Sequence, residues 1–212
     1  FFRWEFATAI AGIALGINPF DEPDVQRSKD ATALFLQGKN SPRQTALTPC
    51  IREGGLSLIG EPKQFKGLAG VAEGLRHLFK TTRQGDYIAI LSWLDENEAL
   101  RSLLEACRAH IGGALGVPVT LGVGPRYLHS TGQLHKGGCS SGVFLQLIAG
   151  VRADVAIPDH DYSFADLHSA QADADLAILS DLGRRVARVN LGQDPAQGLI
   201  EFSSVLEVAL LS

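Results

Sequence analysis

Residues 85–94 read Gly85-Asp86-Tyr87-Ile88-Ala89-Ile90-Leu91-Ser92-Trp93-Leu94. A short apolar run bounded by Gly-Asp before it and Asp95-Glu96 after it is the signature of a fully buried strand. Residues 96–115 follow with Leu100, Leu103, Leu104, Cys107 and Ile111 at helical spacing. Further strands are predicted over 117–123, 142–148 and 185–191, with a helix over 164–182 and an amphipathic helix from 195 to 211. Strands alternating with helices place the chain in the α/β class. From Tyr87 the order is strand, helix, strand, strand, helix, strand, which is the split βαβ arrangement of ferredoxin-like folds. Residues 124–141, between the second and third strands, are the irregular feature.

Towards the start of the chain, residues 63–80 carry Leu68, Val71, Leu75, Leu78 and Phe79 on one side of a predicted helix. Residues 56–59 read as a short strand. Residues 38–54 are rich in Gly, Asn, Ser, Pro and Thr and read as a loop at a boundary. Before it lie two helices. One covers residues 1–16, with Phe2, Phe6, Ala9, Ile10 and Ile13 at helical spacing. Gly16 and Pro19 end it. The second runs from Pro23 to about Gln37. Three parts are therefore expected: helices over 1–38, a connecting loop, strand and helix over 39–85, and the ferredoxin-like α/β part over 86–212.

The 212 residues carry a net charge of −4, so the chain lacks the surplus of Lys and Arg that polyanion binding needs, and no nucleic acid is expected as a partner. The apolar stretch 6–17 is too short to span a bilayer, so no membrane association is expected. Cys50, Cys107 and Cys139 have no paired spacing, which suits reduced thiols in a cytoplasmic protein rather than disulfides or zinc ligands. The chain has no Met and opens inside an apolar run, which reads as part of something longer.

Two segments concentrate chemistry. Residues 16–29 combine a Gly-Ile-Asn-Pro turn, the acidic residues Asp21, Glu22 and Asp24, and then Lys29. A Lys whose stem packs on a helix can present its ammonium to a phosphate or a sugar oxygen; the plain alternative is a solvated surface Lys. Residues 124–138 gather Arg126, His129, Ser130, Thr131, Gln133, His135 and Lys136 among several glycines directly after a strand. Hydroxyls, cations and Gly-supplied amides suit an anion nest or a partner-binding loop; the alternative is a polar loop closing one end of a sheet. A zinc site from His129 and His135 lacks a completing Cys or carboxylate, so no metal is assigned. Residues 122–124, Gly-Val-Gly, lack the rest of a dinucleotide fingerprint. His77, His110, His160 and His168 read as surface or satisfied residues, and Trp93 as packing or interface.

Gly12, Leu15, Asn18, Phe20, Asp21, Val25 and Lys29 together resemble the second signature region of glucose-6-phosphate isomerases. There an apolar helix enters an Asn-Pro-Phe-Asp-Gln turn and a helix bearing a Lys. The chain departs from it at Glu22 (Gln in the family), Asp24 (Gly) and Gln26 (Glu). An ionised Glu22 cannot donate a hydrogen bond as Gln does. Arg126 to Gln133, Lys136-Gly137-Gly138 and 142–146 resemble the C-terminal extension of bifunctional transaldolase/glucose-6-phosphate isomerase fusions, with Cys139-Ser140 departing from an expected Pro-Asn.

The resemblance implies interconversion of glucose 6-phosphate and fructose 6-phosphate through ring opening and an enediol. Lys29 would be the substrate-side lysine, and position 22 a substrate contact. It implies no cofactor. It implies upstream isomerase domains, which hold the catalytic carboxylate and His, with a transaldolase domain as a further expected partner; a homo-oligomer belongs to the docking alternative, in which the chain meets a second copy. Two other classes stay open: a docking or assembly module, and an anion-sensing module built on the 126–138 loop. On the isomerase reading, the purified 212-residue chain is expected to show no turnover of glucose 6-phosphate; a measurable rate in a coupled assay would contradict that.

Overall fold

A computed structural model of the chain describes residues 1–21, 23–38, 49–151 and 153–211. The strand predicted at 87–93 is present as β3 (Tyr87–Trp93), at the heart of a six-stranded sheet among the described residues. The other strands are β1 (Pro49–Glu53), β2 (Leu56–Gly60), β4 (Val119–Val123), β5 (Gly142–Ile148) and β6 (Arg185–Asn190). Their spatial order is β1-β2-β6-β5-β3-β4. β6, β5, β3 and β4 run parallel, while β1 and β2 are antiparallel to their neighbours.

The helices are α1 (Phe2–Leu15), α2 (Pro23–Leu36), α3 (Pro62–Phe65), α4 (Val71–Phe79), α5 (Glu98–Leu115), α6 (Gly132–Gly137), α7 (Phe164–Asp181) and α8 (Pro195–Leu210). On β3, Ile88 and Ile90 face one core with α4, α5 and α8. Ala89, Leu91 and Trp93 face a second core with α7. Both faces are covered, which is why the strand reads as a continuous apolar run instead of an alternating one.

The α/β class stands, but the ferredoxin-like arrangement is corrected. That fold needs a hairpin between its second and third strands, whereas here β4 and β5 lie on opposite sides of β3 and run parallel to it. Parallel strands require a crossover. The segment read as an irregular loop is that crossover, containing a 3-10 turn (Arg126–His129) and α6. The result is a doubly wound sheet. The connector expected over 39–85 is likewise corrected for its described part: β2 pairs with β6, and Val71, Leu75, Leu78 and Phe79 of α4 enter the first core. The helix expected over 63–80 is two helices, separated at Gly67, whose φ of 82° lies in the left-handed region. β1 falls in the stretch read as a loop and is joined to β2 through Gly54-Gly55.

The two N-terminal helices behave differently. α1 buries only Gly12, against which Pro19 folds, and leaves Phe2, Trp4, Phe6 and Ile13 exposed. α2 lies along α7 and α6. Its half-buried residues, Asp24, Val25, Ser28, Ala31, Thr32, Phe35 and Leu36, recur at helical spacing.

The second core has a charged centre. Lys136 Nζ of α6 lies 2.7 Å from Asp175 Oδ1 of α7, and both side chains are 2% exposed. The Tyr127 hydroxyl donates to Asp175 Oδ2 at 2.5 Å, and the Trp93 indole donates to the Tyr127 oxygen at 3.1 Å. Arg184 adds two bonds to the carbonyls of Lys136 and Gly138. Removing one member strands the other charge in an apolar core. Asp175→Ala is therefore expected to destabilise the fold by about 3–5 kcal/mol, with Lys136→Met/Asp175→Leu much closer to wild type. Urea unfolding of the three proteins checks this; equal losses in the single and double variants would contradict it.

Candidate functional site

Parallel sheets bind ligands beyond the carboxyl ends of their strands, because the connecting loops diverge there. β3 and β4 end together at a cleft of about 280 Å³, lined by Ser92, Leu94, Leu100 and Leu121 below and by Arg101, Arg126, Ser130 and Thr131 at the rim. Asp95, Glu96 and Glu105 share that rim. Arg126 Nη2 is already paired with Glu96 Oε1 at 2.5 Å, both largely exposed. Asn97 Oδ1 accepts the Leu100 amide and so caps α5 itself. The rim thus has more carboxylates than cations, and its one helix start is satisfied internally. It does not offer the surplus positive charge a phosphate calls for.

The 124–138 segment does not converge on one nest. Arg126, Ser130 and Thr131 border the carboxyl-end cleft. His129 turns the other way, into a groove of about 240 Å³ between α2 and α7 that it shares with Lys29, Ser28, Leu128, Leu167 and Gln171. Gln133 Nε2 donates to Asp24 Oδ2 at 2.9 Å, joining α6 to the first turn of α2. His135 and Lys136 are the buried side chains of the crossover helix α6. Lys29 itself is exposed. Glu22 lies outside the described residues.

Sequence reasoning missed Asp95, Glu96, Asn97 and Arg101 of the carboxyl-end cleft. The available signal was their position: a polar Asp-Glu-Asn at the end of the apolar run 87–94. It also missed the pairing of Asp24 with Gln133, which spans 109 residues and has no local mark. His168 is half-buried with its ring 5.1 Å from that of Trp93, and burial pulls its imidazole below the usual range. Among the described residues, no group of three or more His, Cys, Asp or Glu side chains is placed to hold a metal ion.

His135 packs among Phe144, Tyr127 and Tyr87, with ring centroids 5.1, 5.9 and 6.2 Å away, and its Nδ1 is buried without a hydrogen-bond partner. Burial lowers its pKa from the ordinary 6.5 to about 4; Asp175 opposes that shift and Lys136 adds to it.

No protein-family model and no curated protein matches the chain. Among solved structures, it resembles the hypothetical protein TT0462 from Thermus thermophilus at a TM-score of 0.55 and 20% identity. The similarity covers 70% of this chain and 42% of that one, so the chain matches less than half the length of that protein. At this identity the likeness concerns the fold.

Because the folded His135 resists protonation while the unfolded one takes it up near pH 6.5, its contribution is intact above that pH. It is lost as pH falls from 6.5 towards 4, by ~3 kcal/mol in total. His135→Phe keeps an aromatic ring and removes the titration. The unfolding free energies of the two proteins are expected to diverge in favour of the variant over that window; a difference independent of pH would contradict the buried neutral imidazole.

Proposed function

We propose that this chain is the C-terminal part of a cytoplasmic glucose-6-phosphate isomerase, in a polypeptide that also carries a transaldolase domain. It contributes Lys29 to the substrate side of the site, and the proton-transferring carboxylate and His come from upstream domains. The observation that carries this reading is the setting of Lys29. Its helix is seated on the sheet domain through its half-buried residues, while the ammonium is left exposed. An ammonium held this way can neutralise charge developing on a sugar oxygen during ring opening, or bind the phosphate.

Proton transfer between adjacent sugar carbons needs a base and an acid in reach of both. Lys29 alone is not that pair, so on this reading the base and the acid come from the upstream domains.

A second reading, docking, is favoured by α1. A helix apolar on all sides belongs in the interior of a larger body, and α1 presents Phe2, Trp4, Phe6, Ile10, Ile13 and Leu15 to solvent. The two readings are compatible if α1 seats on the isomerase core that Lys29 faces.

The test uses the full natural polypeptide that contains these residues. Lys29→Ala is expected to lower kcat/KM for glucose 6-phosphate by about 10²-fold, the usual scale for removing one electrostatic contact to the transition state. A polypeptide without isomerase activity, or a variant with an unchanged rate, would sink the isomerase reading.

A further inference from the structure

What fixes Lys29 in space is α2, which packs along α7 and α6 through side chains that are only half-buried. None of its side chains is fully buried. Ser28 and Thr32, on the inward side, spend their hydroxyls on the carbonyls of Asp24 and Ser28 within the same helix. α1 before it buries only one glycine.

A polar tie that crosses from α2 to the sheet domain is the bond from Gln133 to Asp24. Asp24 stands in the first turn of α2, less than two turns before Lys29. Gln133 stands on α6, which the buried Lys136–Asp175 pair and the two Arg184 bonds hold against the second core. The helices meet closely at this point: a Cβ on Gly137 would lie 2.8 Å from Asp24 Oδ2. Gln133 Oε1 is itself buried with no partner, so the amide is oriented by its bond to Asp24 alone. A carboxylate accepting from an amide at a partly buried site is among the stronger neutral-to-charged bonds.

We infer that Gln133 is a positioning residue for Lys29: the sheet domain acts as a platform that pins α2 through Gln133 and Asp24 and so sets where the ammonium points. This rests on the isomerase reading for its purpose, but the pin has its own readout.

The isosteric Gln133→Glu puts a second carboxylate against Asp24, and Asp24→Asn/Gln133→Glu restores a donor facing an acceptor with the direction reversed. In the full natural polypeptide, amide hydrogen exchange over residues 23–36 and isomerase kcat/KM are measured for wild type, Lys29→Ala, Gln133→Glu and the double variant. Gln133→Glu is expected to speed exchange in α2 and to lower kcat/KM about tenfold, with both recovered in the double variant. Unchanged exchange in Gln133→Glu overturns the pin. Faster exchange with an unchanged rate, while Lys29→Ala is impaired, overturns positioning and leaves the isomerase reading standing. Failure of the double variant to recover overturns it as well. Full activity in Lys29→Ala defeats the isomerase reading and, with it, the positioning role.

Discussion

The Lys136–Asp175 ion pair is the constraint from which the arrangement of the second face follows. Both groups are almost fully removed from water, and such a pair tolerates little displacement, since separation leaves two uncompensated charges. It ties α6, a helix of only six residues, to the long α7. With α6 fixed, the crossover from β4 to β5 is fixed, and so is the side of the sheet from which α2 is approached. The Tyr127 hydroxyl and the Trp93 indole extend the network to the end of β3, so the carboxyl-end cleft and the α2 groove share one support. Tyr127 is driven well above the ordinary phenol range by burial and by the adjacent Asp175, so it serves as a donor to the carboxylate.

The legible part of the sequence is the part whose signal is local. Apolar runs at 87–94 and 142–148 and the spacing of Leu100, Leu104, Cys107 and Ile111 mark buried strands and an amphipathic helix, and those elements form. What the sequence conceals depends on pairing at a distance. Strand direction is not written in a strand, so reading 124–141 as a loop hides the parallel course of β4 and β5. The polarity of that segment invites an anion site. Its buried members, His135 and Lys136, are polar for internal reasons: one in an aromatic cage, the other neutralised by Asp175. Gly54-Gly55 between two short runs is a local hairpin signal, masked by the polar composition of the residues before it.

Of the candidate site, Lys29 stands on the helix face that also carries Val25, Ala33 and Leu36, which line one groove with it, and that much is readable from helical spacing. Its neighbour His129 is not, because it arrives from a turn far along the chain. Asp24 is instructive. It stands in the first turn of α2, and it is the residue that reaches Gln133 in the sheet domain. Judged against the helix alone it looks like decoration; judged against the whole chain it is a contact.

The bare surface of α1 also bears on how this molecule behaves at different concentrations. Its 14 residues of helix extend roughly 21 Å, and most of that length is apolar and open to water. Taking such a surface out of water is favourable whatever covers it. Anything that covers it in the folded chain therefore shifts the folding equilibrium by mass action. The melting temperature of the separate chain is then a property of the solution as much as of the fold, rising with whatever shields that helix.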